Sequence, residues 1–412
     1  MSRLKEKPSR NKENSQKLYY GVKIPLYILV LGLFLLPILY SIKPNVNYEL
    51  VKVAFFQRWV EAFCLSVVVF TPDRISIKRI SHFGSVILLA LFFCVALFSS
   101  YIGADYSRSF WGNSFRGDGL LTLFHGVLLF VFVQLSFREL WKKYLIYTLI
   151  ASSLVVSLYA LGHGKDYGTL GHTAFLGGFL LLTLPFFFTL KNKLWLLVIP
   201  TVLAIIFTKS SFAILGMVFL PIAWLISRCV KLVHIGCGIR SHIGNSLFVC
   251  YLLFSVFYFG YYFYRASTVT LDYTVGNTIV YEDRLRIYTK GFLGFVDRPL
   301  LGYGYANFDK AFESIDWPAE VPNDVYVDRA HSSWLEVLIT TGVVGFIFYI
   351  SFVLLLFNRM SWDDQFSKAV TIALILYLIN SQVNVTSVAQ DALFWVLGAV
   401  VVANFNSRKS AD

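Results

Sequence analysis

Residues 83–102 read FGSVILLALFFCVALFSSYI, twenty positions without one charge. A helix needs about 20 mostly apolar residues to cross the hydrocarbon core of a bilayer. Backbone polar groups in lipid must be satisfied within their own segment, so such a run reads as a helix and not as an isolated strand. Working outward with a window of about 19 residues, further runs of this kind fall at 24–41, 53–70, 119–136, 144–162, 172–190, 194–208, 211–227, 245–264, 334–357, 369–387 and 390–406. About twelve spans therefore occupy most of the 412 residues. Composition agrees: 57% of residues are hydrophobic, only 15% are charged, and mean hydropathy is +0.64. Soluble domains sit near about 45–50% apolar and 25% charged. The chain is expected to be an all-α polytopic integral membrane protein. A soluble enzyme, a disordered chain, a nucleic-acid binder and a disulfide-stapled secreted domain are excluded.

The net charge of +12 is explained by topology. If the N-terminus is cytoplasmic, loops on that side hold 22 Lys and Arg, against six in the short loops opposite. Such a bias sets orientation, so both termini are expected inside. The N-terminus has no small-residue cleavage pattern, and no removable signal peptide is expected. The chain then divides into a basic tail (1–23), nine spans (24–264), an outward loop (265–331), three spans (332–406) and a short tail (407–412). The loop of 67 residues is rich in aromatics, from Tyr273 and Tyr281 to Trp317 and Tyr326. Disordered segments are poor in aromatics, and long connections in compact proteins are usually functional. Chemistry is expected there.

Other polar features are weaker. Cys64, Cys94 and Cys250 lie in apolar runs, where cysteine acts as a small hydrophobe. Cys229, His234, Cys237 and His242 share one cytoplasmic loop, but their spacing is not that of a zinc finger, and no metal site is expected. Within the spans the reading singles out Arg58, Glu61 and Glu336. Arg58 and Glu61 are three apart on one helical face and are expected to form a structural ion pair.

The outward loop holds three pieces. Glu282 to Asp297 (EDRLRIYTKGFLGFVD) places Leu285, Tyr288, Phe292 and Phe295 at helical spacing, and ends at Arg298-Pro299. At about 100° per residue, Arg284 falls beside Phe295 at the edge of the apolar face, while Arg286 and Lys290 point to water. Next, PLLGYGYANF (299–308) carries two glycines that mark a tight turn or close backbone approach. It lacks the surroundings of a dinucleotide fingerprint. Last, DRAHSSWLE (328–336) combines Ser333 and Glu336 as a capping box. His331 then precedes a helix N-terminus, whose positive end disfavours imidazolium. A neutral imidazole is what a general base requires.

These pieces together resemble the signature region of the O-antigen ligase and O-antigen polymerase family. The family pattern sets an Arg before an aromatic, here Arg284 with Tyr288. A P-L-x-G-x-G-x-x-N-F run follows, here Pro299 to Phe308, and then a His-led segment into a span, here His331 to Gly345. Gly168 to Leu182 (GTLGHTAFLGGFLLL) resembles the family's lead-in to a span, and Phe207 to Leu215 (FTKSSFAIL) its T-x-S-R-x-A turn. The chain departs twice. Ser211 stands where the turn carries Arg, so Lys209 or Arg116 would supply that contact. His172 stands where an Asn is usual.

The resemblance implies a C-type glycosyltransferase-like membrane fold in a bacterial inner membrane, with an extracytoplasmic active site. It implies metal-independent transfer, without a cofactor, of a glycan from undecaprenyl pyrophosphate to an acceptor hydroxyl. Arg284 would meet the diphosphate charge. Arg116, Arg329, Lys209, Arg286, His172 and Tyr288 would line the substrate site, and His331 would take the acceptor proton. Partners are the lipid-linked oligosaccharide donor, a glycan, glycolipid or protein acceptor, and the bilayer. The acceptor would decide between lipopolysaccharide ligase, polymerase and protein O-oligosaccharyltransferase. The rival class is a transporter, which places its site mid-span and often shows internal repeats. No half-length repeat is seen, and the charges cluster in one loop.

Overall fold

The structure is a computed structural model describing residues 23–41, 47–72, 84–232, 246–258, 260–261, 284–316 and 326–409. Regular structure among them is helical. In chain order the helices are α1 (Lys23–Leu35), α2 (Tyr48–Phe70), α3 (Gly84–Ile102), α4 (Tyr106–Trp111), α5 (Leu120–Ser136), α6 (Glu139–Gly162) and α7 (Thr173–Phe187). A 3-10 turn (Asn192–Leu197) then leads into α8 (Val198–Phe207). There follow α9 (Ser211–Leu232), α10 (Ser246–Tyr258), α11 (Arg284–Asp297), α12 (Phe308–Glu313), α13 (Ser333–Arg359), α14 (Gln365–Val383) and α15 (Val388–Lys409). Among the described residues, α2, α3, α6, α13, α14 and α15 are long and apolar enough to cross a membrane. Six shorter apolar stretches coincide with the other runs read from hydropathy. The protein is a polytopic integral membrane protein.

Side chains fix the helix starts. The Asn47 carboxamide accepts from Glu49 N–H (3.0 Å), Asp105 from Arg108 N–H (3.0 Å) and Asp364 from Ser367 N–H (2.8 Å), each answering an orphan donor of the first turn. The core runs through most of the bundle, with α13 packed on α3, α15 on α5, and α14 on α7. Arg58 and Glu61 pair as the spacing predicts (2.8 Å), and Glu61 also meets His125 of α5 (3.2 Å).

One break in α13 shapes the loop end of the bundle. At Gly342 the helix leaves helical geometry (φ 65°, ψ −173°). The run 299–304 lies against the break and takes up the freed groups. Tyr303 N–H donates to the Ile339 carbonyl (3.0 Å), Gly304 N–H to Thr340 (2.9 Å), and Val343 N–H to Pro299 (2.8 Å). A Cβ on Gly342 would overlap the Leu300 carbonyl, in a left-handed backbone that side chains rarely adopt. Gly342→Ala is therefore expected to cost at least about 2 kcal/mol, from left-handed strain plus overlap, seen as a lower Tm in detergent. Gly162→Ala, where a Cβ meets nothing within 4 Å, is the matched control and should leave Tm unchanged.

The loop has its own small core of Ile287, Tyr288, Tyr303, Phe308, Phe312 and Ile339. This corrects two readings. Arg286 and Lys290 do not point to water: they are 5% and 6% exposed, and both sit over the Phe312 ring, at 5.3 and 4.1 Å from its centre. The cause is α12, a helix of one and a half turns that hydropathy does not register and that covers this side of α11. The capping box is also shifted by one. Ser332, not Ser333, is the N-cap of α13, and Glu336 reaches back to Ala330 N–H (2.8 Å). His234, Cys237 and His242, the Cys229 side chain, and Tyr273, Tyr281 and Trp317 lie outside the described residues.

Candidate active site

A cavity of about 210 Å³ is lined by α2, α3, α5, α13, α14 and α15. Its apolar walls come from the helices (Val53, Phe92, Phe352, Phe394, Trp395), and its polar groups come largely from their loop ends. Clefts of this kind, apolar with a few convergent polar groups, are the usual form of a small-molecule site.

His331 lines this cavity. It holds φ +54°, a left-handed backbone uncommon for a residue with a side chain. The Tyr288 hydroxyl, buried under the loop, donates to its carbonyl (3.4 Å). Burial pushes the imidazole down to about 4, helped by the positive charges of Arg284 and Arg116 and opposed by Asp328. The ring is therefore neutral at physiological pH, with a lone pair to offer.

Arg284 opens α11. Its guanidinium donates to the Tyr258 hydroxyl (2.9 Å) and to the Asn384 carboxamide oxygen (3.4 Å). Asn384 is itself a cavity residue, and Tyr258 meets Tyr288 through their hydroxyls (3.2 Å). Arg284, Tyr258, Tyr288 and the His331 backbone thus form one hydrogen-bonded chain. Arg116 reaches the cavity from the turn before α5 and is oriented by Asp328 (2.5 Å). Burial alone would raise the Asp328 carboxyl, but Arg116 outweighs it and holds the group below its ordinary value.

Residues 167–350 match a family model described as O-antigen ligase. That segment belongs to the O-antigen ligase family. The matched segment contains Arg284, the glycine run, His331 and the Gly342 break. It ends before α14 and α15, and begins after Arg116. No curated protein matches the chain. Membership makes this a ligase- or polymerase-type membrane protein with glycan and lipid-linked partners.

The remaining residues sort by geometry. Arg329 lines the cavity of this family member, but its guanidinium is engaged twice, by Asp118 and by Glu336 (2.7 Å). That triad ties the turn before α5 to the start of α13, so Arg329 positions the site. His172 caps α7, its Nδ1 accepting from Ala174 N–H (3.1 Å), and its ring lies 5.2 Å from Phe175, which the Arg116 guanidinium also covers (5.7 Å). Burial, then Arg116, lowers its imidazole below the ordinary value. Lys209 is exposed on a left-handed turn (φ +54°) and is not among the cavity residues. Arg286 faces α12, away from that lining.

Sequence reasoning missed Glu49, Asp118, Asn384 and Asp391 as cavity residues. Asp391, one position inside the twelfth span, belongs with the intramembrane charges. The available signal was an acid at the loop end of an apolar run, a rare and costly placement.

Proposed function

We propose that this protein transfers a glycan from undecaprenyl pyrophosphate to an acceptor hydroxyl on the outer face of a bacterial inner membrane, without a metal ion. The observation that carries the reading is a neutral histidine on a cavity wall, with two arginines close enough to depress its basicity. Glycosyl transfer from a diphosphate needs both parts. Charge develops on the leaving diphosphate and is met by guanidinium groups. The attacking hydroxyl loses a proton to a base. Arg284 and Arg116 are assigned the first role, His331 the second. Tyr288 and Arg329 position them. The acceptor separates ligase from polymerase and from protein glycosylation, and the same residues serve all three.

The electrostatics add a consequence. In the free protein Arg284 and Arg116 keep His331 weakly basic. A bound diphosphate would cancel much of their charge and let the imidazole recover toward its ordinary value. The base would strengthen when the donor is in place. The sign is fixed: a histidine lowered to about 4 is unprotonated above that pH, so kcat/KM should fall only as pH drops through about 4. The profile of kcat/KM reports the free enzyme, and that of kcat the complex. The acid limb of kcat is therefore expected above that of kcat/KM. Coincident limbs, or a kcat/KM limb near the unperturbed histidine value, count against the assignment.

A further inference from the structure

Glu49 is not among the residues to which the reading gives work. It begins α2, is 6% exposed, and lines the cavity. Its Oε2 accepts from Val388 N–H (3.0 Å), the first residue of α15, while its Oε1 has no hydrogen-bonding partner among the described residues. Lys52, three residues on, donates instead to the Thr169 carbonyl (2.7 Å) and the Tyr48 carbonyl (3.5 Å). Asp391, another cavity carboxylate, accepts from the Tyr377 hydroxyl (2.8 Å).

A buried carboxylate oxygen without a donor costs free energy unless something supplies one. In its ionised form the carboxylate only accepts, so a ligand of that form must present O–H or N–H. The charged side chains of Lys52, Asp391 and Arg116 act on Glu49 together. A diphosphate is repelled by two carboxylates and drawn to Arg116 and Arg284. Aromatic walls at Phe56, Phe92 and Trp395 offer flat apolar faces, which suit the C–H faces of a pyranose ring rather than a charged group. The carboxylates and the arginines therefore select different chemistry.

We propose that the Glu49 Oε1 accepts a hydroxyl of the acceptor sugar, with Asp391 beside it, making this wall of the cavity the acceptor subsite. The assignment rests on the glycan-transfer reading and adds to it the residue that recognises the acceptor.

Glu49→Gln separates recognition from structure. The carboxamide oxygen still caps α15, but an NH2 replaces the unpartnered oxygen. The test uses the full chain in nanodiscs and fluorescent alkyl hexosides, each compared with its per-O-methylated form. Wild type should prefer the free-hydroxyl probe by about tenfold or more, as expected for one hydrogen bond to a charged group. E49Q should erase that preference by weakening the free-hydroxyl probe alone. A preference that survives E49Q, a wild type with none, or equal weakening of both probes overturns the proposal. The transfer rate of His331→Ala, measured separately, reports on the catalytic reading, so failure of either can be told from failure of the other.

Discussion

Replacing His331 with alanine is expected to abolish glycan transfer while leaving the protein folded in the membrane. A positioned general base contributes about 10²–10⁴-fold, and loss on that scale takes turnover to background. The geometry supports a specific role. The residue keeps a left-handed backbone, its carbonyl is held by Tyr288, and its ring stands at a cavity wall near two arginines. Strain of this kind costs about 1–3 kcal/mol and persists where surrounding structure enforces it. Alanine keeps the anchor at the carbonyl and removes only the ring, so Tm in detergent should hardly change. His331→Asn is the stricter variant, because Asn tolerates the left-handed region yet offers no comparable base. Turnover near wild type in either variant removes His331 from the mechanism.

Arg284→Ala should be nearly as damaging, at about 10²–10³-fold, the usual loss when a preorganised charge donor to a transition state is removed. Arg284→Lys should recover little. A lysine ammonium is a point charge and cannot span the Tyr258 hydroxyl and the Asn384 oxygen as the planar guanidinium does. The variant carries a second signature. Without the Arg284 charge the His331 imidazole rises from about 4 toward its ordinary value, so any residual activity should show an acid limb at higher pH. A purely structural role for Arg284 predicts lower stability with an unmoved limb. Arg286→Ala separates the two arginines of α11: it should lower Tm through lost packing under Phe312 while the pH limb stays in place.

What the sequence made legible follows from the physics of each feature. Long charge-free runs can do little but form helices in lipid, so the span positions were readable from hydropathy alone. The phase of α11 correctly set Tyr288 on the buried side, because that face is apolar. The same phase misplaced Arg286. A one-and-a-half-turn helix covers it, and neither period nor hydropathy reports so short an element. The Arg329 clamp was illegible for another reason. Asp118 lies 211 positions from its partner, and without a fold the two carboxylates have no reason to be matched with that arginine. Glu49 and Asp391 sit at opposite ends of the chain and share one cavity only because α2 and α15 pack together. The Gly342 break was hidden inside a run, TTGVVGF, that continues the apolar pattern without interruption.

The central claim is tested most directly by following both products of one reaction. Purified protein in proteoliposomes is given a synthetic undecaprenyl-pyrophosphate oligosaccharide and a panel of glycan, glycolipid and peptide acceptors, with a chelator present throughout. The account predicts release of undecaprenyl pyrophosphate in step with glycosylation of one acceptor class, unaffected by the chelator and lost in His331→Ala. Movement of intact donor across the bilayer, with no diphosphate released and no acceptor modified, would contradict it and mark the protein as a transporter.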